Sequence, residues 1–304
     1  MRLVFLGTPD FAVPSLERLV AANHDVVAVF TQPDRPKGRG QKDAMPPVKD
    51  AALRLGLPVH QPLRARRPEV VEELRAMNPE GMVVVGYGQI IPQAILDIPP
   101  AGIINVHASL LPKYRGAAPI QWAIARGETR TGVTTMKINA GLDTGDMLLK
   151  WETAIGKAET APQLSERMAI AGADLLLRTL AELPNIQPEP QDDAQATYAP
   201  ILKKEDGQID WRLPATEILN RIRGFLPWPG CFTFLRGQRL HIWKGVLANM
   251  ELAPGALTVM ERRLYAGCGQ ASIEILEVQL EGKNRIAAQA FLNGFALEGN
   301  EVLA

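Results

Sequence analysis

The sequence predicts a two-domain protein, in which an α/β domain with a mostly parallel sheet precedes a small all-β domain. Three features support this prediction. Apolar strands alternate with helical patterns in the first half, a proline-rich polar stretch follows at 184–193, and short strands with turn signals dominate from residue 207 onward. The length of 304 residues suffices for two domains, since one domain takes about 100–200 residues.

The N-terminal part begins with a predicted βαβ unit. Residues 3–6 are an apolar run, apolar side chains recur at helical spacing in 13–20, and residues 26–30 are apolar and β-branched. Further strands are predicted at 82–85 and 103–106. Helices are predicted between the strands, for example at 68–77 and 119–126. Such alternation predicts a Rossmann-like sheet covered by helices on both faces.

The pattern changes near residue 131. Strands are predicted at 131–137 and 147–153, and a long helix at 160–183. The stretch after this helix is rich in proline and polar residues and has little to bury, so it is interpreted as a linker. The predicted boundaries are 1–184 for the first domain, 185–206 for the linker and 207–304 for the second domain.

The C-terminal part predicts one short helix at 216–223 and otherwise strands. The predicted strands are 231–235, 239–246, 256–260 and 271–279. This arrangement is typical of a small sandwich or barrel. Trp211, Trp228 and Trp243 are expected to bury most of their rings in its core.

Composition narrows the class of protein. Hydrophobic residues make up 46% and charged residues 22%, which favours a packed core over disorder. The formal net charge is zero, so any nucleic-acid signal must be local. Cys231 and Cys268 are the only cysteines, which excludes a disulfide framework. With no signal-peptide pattern and no membrane-length apolar run, we expect a soluble, cytoplasmic protein.

Two polar residues interrupt an apolar strand. Asn105 and His107 are two residues apart, so their side chains point to the same face of the strand. They lie at its carboxyl end, where open α/β sheets bind ligands. An amide and an imidazole there are costly unless both are hydrogen-bonded. Spacing alone leaves a catalytic pair and a structural polar pair about equally favoured.

A second polar segment is the glycine-rich loop 139–146, which contains Asp143. A loop of this type is often only a turn whose carboxylate accepts backbone N–H bonds. By sequence pattern alone, the turn interpretation is the stronger one.

Two basic segments are candidates for contact with phosphates. The first is a glycine-containing loop with Arg35, Lys37, Arg39 and Lys42. In an arbitrary protein such a loop is usually a solvated charge run. The second is the stretch from 212 to 244, which has net charge +5 because Glu217 is its only acid. Its basic residues are Arg212, Arg221, Arg223, Arg236, Arg239 and Lys244.

These residues resemble a known family. Asn105, His107 and Asp143 match the catalytic set of the folate-dependent formyltransferases, and 109–112 is similar to that family's folate signature. Other segments resemble the members that act on methionyl-tRNA, in order and spacing. They are 7–12, 31–36, 85–88, 115–121, 141–146, 209–211 and 227–230. One departure is residues 224–226, where the family more often has a polar residue.

The resemblance implies an activity and its partners. It implies transfer of a formyl group from 10-formyltetrahydrofolate to the amino group of methionyl-initiator-tRNA. It also implies that the basic loop enters the acceptor end of the tRNA, and that an OB-fold-like C-terminal barrel binds tRNA through the basic stretch. We expect a monomer. We also expect no metal site, since the four histidines lack chelating spacing. The folate contacts that it implies are Tyr87, Gly88, Ser109, Leu110, Leu111 and Pro112.

Three alternatives are weaker. A nicotinamide-dependent oxidoreductase would need a Gly-x-Gly-x-x-Gly turn, which neither 7–12 nor 86–91 provides. A non-catalytic RNA-binding protein would not explain the presence of Asn105, His107 and Asp143. A formyltransferase for a small amine would not need the basic loop and the basic stretch.

Overall fold

The chain folds into two compact units, described by a computed structural model over residues 1–37, 42–298 and 301–304. Each unit is assembled from three segments. The first unit comprises Met1–Pro119, Thr131–Thr153 and Ser165–Ala199, and the second comprises Ile120–Arg130, Ala154–Leu164 and Pro200–Ala304. The continuous boundaries predicted from the sequence (1–184, 185–206 and 207–304) stay a prediction.

The first unit is built on a seven-stranded sheet. The strands of this unit are β1 Arg2–Gly7, β2 Asp25–Phe30, β3 Arg35–Lys37, β4 Lys42–Ala44, β5 Val59–His60, β6 Gly81–Val85, β7 Ile103–His107, β8 Arg115–Gly116, β9 Arg130–Lys137, β10 Met147–Ala154 and β11 Tyr198–Ala199. The sheet has the order β10-β9-β7-β6-β1-β2-β5. Strands β5, β2, β1, β6 and β7 run parallel, and β9 is antiparallel to β7.

The central strands are buried because their sequences are apolar apart from Arg2, Asn105 and His107. Every residue of β6 and β7 is buried, and so are the last five of β1, as expected for parallel strands covered on both faces. Helices follow the strands as the alternation predicted: α1 Val13–Ala21, α2 Pro47–Arg54, α3 Pro68–Ala76 and α4 Gln93–Leu96 belong to this unit, as does most of α6 Ala161–Glu182. Helix α5 Pro119–Ala125 belongs almost entirely to the second unit. The predicted α/β architecture is confirmed.

The second unit contains an antiparallel sheet. Its strands are β12 Cys231–Leu235, β13 Gln238–Ala248, β14 Leu257–Met260, β15 Arg263–Gly267, β16 Ser272–Leu280 and β17 Ile286–Ala287, and its helices include α7 Ala215–Gly224 and α8 Ala288–Gly294. The sheet order is β12-β13-β16-β15-β14, and β17 pairs with β16. The antiparallel sheet domain predicted for this part is confirmed, but the prediction of a single helix was wrong, since α8 follows the last strand.

Residues 301–304 close this sheet. The backbone groups of Phe234 in β12 and Ala304 exchange two hydrogen bonds, of 3.0 and 3.1 Å. On the other side, the Leu303 N–H donates to the carbonyl of Gly255, just before β14 (2.8 Å). The two edge strands are therefore joined through one segment, which satisfies backbone groups that an open edge would expose.

The tryptophans of this unit do not all behave as expected. Trp211 is buried, and its indole N–H donates to the Thr233 hydroxyl (3.0 Å). Trp228 is 54% exposed, so the expectation that most of its ring is buried was wrong. In the part of the chain that is described, no helix is long and apolar enough to cross a membrane.

The stretch interpreted as a linker makes specific contacts. In its middle, β11 pairs in parallel with β8, and the Arg115 N–H donates to the carbonyl of Thr197 (2.8 Å). Its side chains also form hydrogen bonds to a loop of the first unit, as Gln191 does to the carbonyls of Asp143 and Gly145. Composition alone does not reveal such bonds, because they depend on residues far away in the sequence.

Candidate active site

Asn105 and His107 lie at the carboxyl end of β7, as the sequence predicted. Both residues are buried, with 8% and 6% of their surface exposed. The strand places both side chains on one face. Both side chains find polar partners in the first unit, which burial requires.

The imidazole of His107 lies between a backbone carbonyl and a carboxylate. Its Nε2 is 2.9 Å from the carbonyl oxygen of Tyr114. Since a carbonyl can only accept, Nε2 carries the proton of that bond. Nδ1 is 3.7 Å from Oδ2 of Asp143, which is too long for a hydrogen bond but close enough for an ion pair when Nδ1 is protonated. Nδ1 is therefore the nitrogen that can exchange a proton with a substrate.

Asp143 connects three parts of the first unit. Its Oδ2 accepts a hydrogen bond from the backbone N–H of Gly116 (2.9 Å), and its Oδ1 is 3.5 Å from the amide nitrogen of Asn105. The carboxylate thus accepts a backbone N–H bond, as the turn interpretation expected, but the donor belongs to a distant segment. The turn itself is held by Asn139, whose Oδ1 accepts bonds from the Gly141 N–H and the Thr144 hydroxyl.

Gly116 must be glycine for geometric reasons. Its φ is +118°, and a Cβ there would stand 2.6 Å from the carbonyl oxygen of Ala199. Any side chain would move the backbone N–H that Asp143 accepts. Substitution at this position would consequently displace the carboxylate.

The four residues of the folate signature differ in how much surface they offer. Ser109 and Leu111 are buried, and the Ser109 hydroxyl donates to the carbonyl of Lys113 (2.6 Å). Leu110 and Pro112 are partly exposed. Only these two can offer side-chain surface to a ligand without rearrangement, while Ser109 and Leu111 shape the turn.

The Tyr87 side chain lies in the core. It is 1% exposed, and burial raises the pKa of its phenol to about 12. Its carbonyl accepts hydrogen bonds from the Thr8 hydroxyl (3.0 Å) and the Gln32 amide (3.1 Å). The ring is therefore not presented to a ligand. The next residue, Gly88, is exposed and has a φ of +77°.

The basic loop is described only in part. Arg35 is exposed in β3, and its guanidinium is 3.4 Å from the side-chain oxygen of Gln32. The backbones of Lys37 and Lys42 are paired in the register of β3 and β4. Arg39 lies outside the described residues. A short antiparallel pair, rather than an irregular loop, thus leads into and out of this segment.

Two arginines of the C-terminal basic stretch pair with acids close in the sequence. Arg212 forms two 2.8 Å bonds with Asp210, and these hydrogen bonds lower the pKa of Asp210 to about 2. Arg221 pairs with Glu217 at 3.0 Å. Asp210 lies just outside the window in which the charge was counted, so the count missed it.

Two further arginines have partners that the local sequence does not reveal. Arg236 bonds Glu301 at 2.5 Å and lies 3.5 Å from Glu298. The guanidinium of Arg239 lies 4.8 Å from the centre of the Phe232 ring. The net charge of +5 is thus partly compensated by acids from elsewhere in the unit.

Arg223 has a structural place within the second unit. Burial lowers the pKa of its guanidinium, which donates to the carbonyls of Gly156 (3.3 Å) and Glu159 (2.9 Å). It is the least suited of the predicted tRNA-binding arginines to meet a phosphate, because these carbonyls occupy its donors.

The arrangement of Asn105, His107 and Asp143 suits acyl transfer to an amine. The Asn105 amide can donate to an oxygen that gains negative charge, and His107 can exchange a proton through Nδ1. The Asp143 carboxylate lies 3.7 Å from Nδ1, within reach of an ion pair when that nitrogen carries a proton. Among the described residues, no group of three or more His, Cys, Asp or Glu side chains could hold a metal ion.

Sequence reasoning missed three contributors to this site. The Tyr114 carbonyl and the Gly116 N–H are backbone groups, which leave no trace in side-chain patterns. Gln191 donates to the carbonyls of Asp143 (2.8 Å) and Gly145 (2.7 Å). It lies in the stretch interpreted as a linker, where a single glutamine carries no signal.

Family comparisons agree with the division into two parts. The model of the formyl transferase family matches residues 1–180, and the model of the formyl transferase C-terminal domain matches residues 201–296. The two matched regions flank the segment that contains Gln191.

Curated relatives match over the full length. A methionyl-tRNA formyltransferase of Solibacter usitatus is 62% identical, with 100% of this chain and 98% of the relative covered. One from Koribacter versatilis is 58% identical, with 97% and 96% covered.

Solved structures show the same fold. An N-formyltransferase from Helicobacter canadensis, bound to folinic acid and dTDP-3-aminofucose, has a TM-score of 0.68 at 21% identity, with 90% of this chain and 98% of that chain covered. A methionyl-tRNA formyltransferase from Clostridium thermocellum has a TM-score of 0.59 at 19% identity, with 83% and 96% covered.

Proposed function

The chain belongs to the methionyl-tRNA formyltransferase family, and from this premise we propose that Asn105, His107 and Asp143 catalyse its reaction. The reaction transfers the formyl group of 10-formyltetrahydrofolate to the amino group of methionyl-tRNA. The observation that carries the proposal is the meeting of an amide, an imidazole and a carboxylate at the end of β7. We propose initiator methionyl-tRNA as the substrate.

Asn105 acts as the donor for developing negative charge. Attack of the amine on the formyl carbon moves electrons onto the formyl oxygen, and a fixed N–H donor stabilises that charge. The Asn105 amide has two N–H donors, and one is directed at Asp143. The second is available for the oxygen, so the carboxylate holds the amide in the orientation that catalysis needs.

His107 and Asp143 transfer the proton that the attacking amine loses. With Nε2 engaged by the Tyr114 carbonyl, Nδ1 either donates to the formyl oxygen or takes the proton that the attacking amine loses. As the bond between the formyl carbon and N10 of the folate breaks, the proton lost by the amine is delivered to N10, and tetrahydrofolate leaves. Asp143, 3.7 Å from Nδ1, forms an ion pair with the imidazole whenever Nδ1 carries the proton, and it can receive that proton through water. Because all three residues belong to one unit of one chain, we propose that the protein acts as a monomer. Its tRNA substrate leads us to propose the cytoplasm as its location.

The co-substrate supplies the activated formyl carbon. Leu110 and Pro112 offer partly exposed apolar surface a few residues beyond His107, and the exposed backbone at Gly88 lacks a side chain. These features fit contact with a flat heterocycle. We propose these three positions as folate contacts, with Ser109, Leu111 and Tyr87 supporting them from the interior.

The proposed function is tested by comparing acceptors. Labelled 10-formyltetrahydrofolate is incubated with the protein and with initiator methionyl-tRNA, elongator methionyl-tRNA or free methionine. We expect rapid transfer to the initiator, slower transfer to the elongator and very little to the free amino acid. Equal transfer to free methionine would contradict a role for tRNA binding, and failure with all three would contradict the activity.

The basic loop gives a separate prediction. We expect replacement of Arg35, Lys37, Arg39 and Lys42 by glutamine to lower kcat/KM for tRNA and to flatten its salt dependence. Each lost phosphate contact should reduce the slope of log affinity against log salt by about 0.7–0.9. Folate binding and the melting temperature should be unchanged.

The control for this experiment neutralises exposed arginines of another loop. Arg64 and Arg66 are exposed, and their replacement by glutamine should leave the salt slope closer to that of the unmodified protein. If the loop variant and the unmodified protein showed the same slope and the same kcat/KM, the loop would be a solvated charge run.

A further inference from the structure

A glutamine outside the proposed catalytic set holds the loop that carries Asp143. The Gln191 side-chain amide donates to the carbonyl of Asp143 (2.8 Å) and to that of Gly145 (2.7 Å). One NH₂ group thereby fixes two points of a tight loop. Since Asp143 itself has a φ of +51°, its backbone conformation is one that a non-glycine residue adopts only when its surroundings hold it.

Gln191 is itself held by a buried cation. Its side-chain oxygen accepts a 2.9 Å hydrogen bond from Nε of Arg115, whose side chain is only 2% exposed. The other end of this guanidinium bonds Asp193, whose side chain is 83% exposed. Because the glutamine oxygen is occupied by Arg115, its NH₂ group must face the loop carbonyls. The buried arginine therefore fixes the orientation of the glutamine amide.

The segment that contains Arg115 also contacts the Asp143 carboxylate directly. Gly116, next to Arg115, donates its N–H to Oδ2 of Asp143. Arg115 and Gly116 form β8, which pairs with β11 only a few residues beyond Gln191. The backbone of Asp143 is thus bonded to Gln191 and its carboxylate to Gly116, and these two residues are linked through Arg115.

We propose that Gln191, oriented by Arg115, is a positioning residue that sets the place of the Asp143 carboxylate relative to Asn105 and His107. This inference rests on the proposed function of these three residues. Gln191 does not touch the reacting atoms in this role. Its loss lets the Asp143 loop shift, which weakens the coupling between carboxylate and imidazole.

The main test is Gln191→Met, which keeps the length of the side chain but cannot donate a hydrogen bond. We expect kcat to fall about 10- to 100-fold, since a displacement of about 1 Å can cost a factor of 10². KM for both substrates should change little. The melting temperature should fall, because the Nε–H of the buried Arg115 loses its acceptor, so kcat is measured well below that temperature. Gln195→Met is the matched control, because Gln195 lies on the same segment but bonds Asp192 instead, and it should keep normal kcat.

A double-mutant cycle separates positioning from general support of the fold. In an Asp143→Asn background, measured by single turnover, Gln191→Met should reduce the rate little further, because the carboxylate that it positions is already gone. Equal reductions in both backgrounds, or unchanged kcat for Gln191→Met, would overturn the inference. Normal kcat for Asp143→Asn alone would instead refute the proposed catalytic set.

Discussion

Replacing Asp143 by asparagine should lower kcat at least about 10²- to 10³-fold, the cost typical of losing one stabilising group in a transition state. The change preserves size, so the loss would come from charge and hydrogen bonding. An amide has one acceptor oxygen, whereas Asp143 uses one oxygen toward Gly116 and the other toward Asn105. The NH₂ group that replaces one carboxylate oxygen would then face either the Gly116 N–H or the Asn105 amide N–H, which are both donors.

The measurement is single-turnover formyl transfer to initiator methionyl-tRNA with saturating co-substrate. Asp146→Asn is a suitable control, since Asp146 is an exposed aspartate in the same loop region. It should retain kcat within about a factor of two, as expected for a surface substitution away from the site. A near-normal rate for Asp143→Asn would remove the carboxylate from the mechanism.

Removing the imidazole should be about as damaging. We expect His107→Ala to lower kcat about 10²- to 10³-fold, because it removes both the proton-exchanging Nδ1 and the donor that Nδ1 becomes when protonated. The expected loss is in kcat rather than in KM for folate, since Leu110 and Pro112 remain in place.

Stability must be measured alongside, because His107 is buried and its Nε2 bonds the Tyr114 carbonyl. His107→Gln restores a side-chain donor at a similar distance and should recover stability without recovering the rate. If His107→Gln regained most of the activity, a hydrogen-bond donor alone would suffice and proton exchange at Nδ1 would not be required.

The sequence predicted the sheet of the first unit well because its strands are fully buried. An apolar strand such as β7 is recognisable in isolation, and two polar residues within it stand out. The strand order, the antiparallel course of β9 and the two-residue strands β8 and β11 were not predictable. Pairing between distant segments leaves no periodicity in either of them.

The site was predictable where side chains carry the chemistry and not where the backbone does. Asn105 and His107 could be placed together by their spacing alone. The link from Asp143 to Gly116 spans 27 residues, and the link from Gln191 to Asp143 spans 48. No local pattern reports contacts of that range.

Charge was the least reliable predictor. Counting residues between 212 and 244 indicated a strongly basic surface, yet Glu301 lies 65 residues from the Arg236 that it neutralises. Local excess of one charge in a sequence therefore predicts a charged surface only where the fold brings no opposite charge from elsewhere.

The closure of the second sheet by residues 301–304 has a kinetic consequence. The Thr233 hydroxyl bonds the carbonyl of Ala304, 71 residues later. Contacts of such separation carry a large loop-closure entropy and slow folding. The hairpin of β12 and β13 can form as soon as both strands have been synthesised. The bonds that residues 301–304 make to the two edge strands can form only after these last residues emerge from the ribosome. Until then the backbone groups of Phe234 at the β12 edge lack their partner, whereas Phe232 can already accept a bond from the Ile209 N–H.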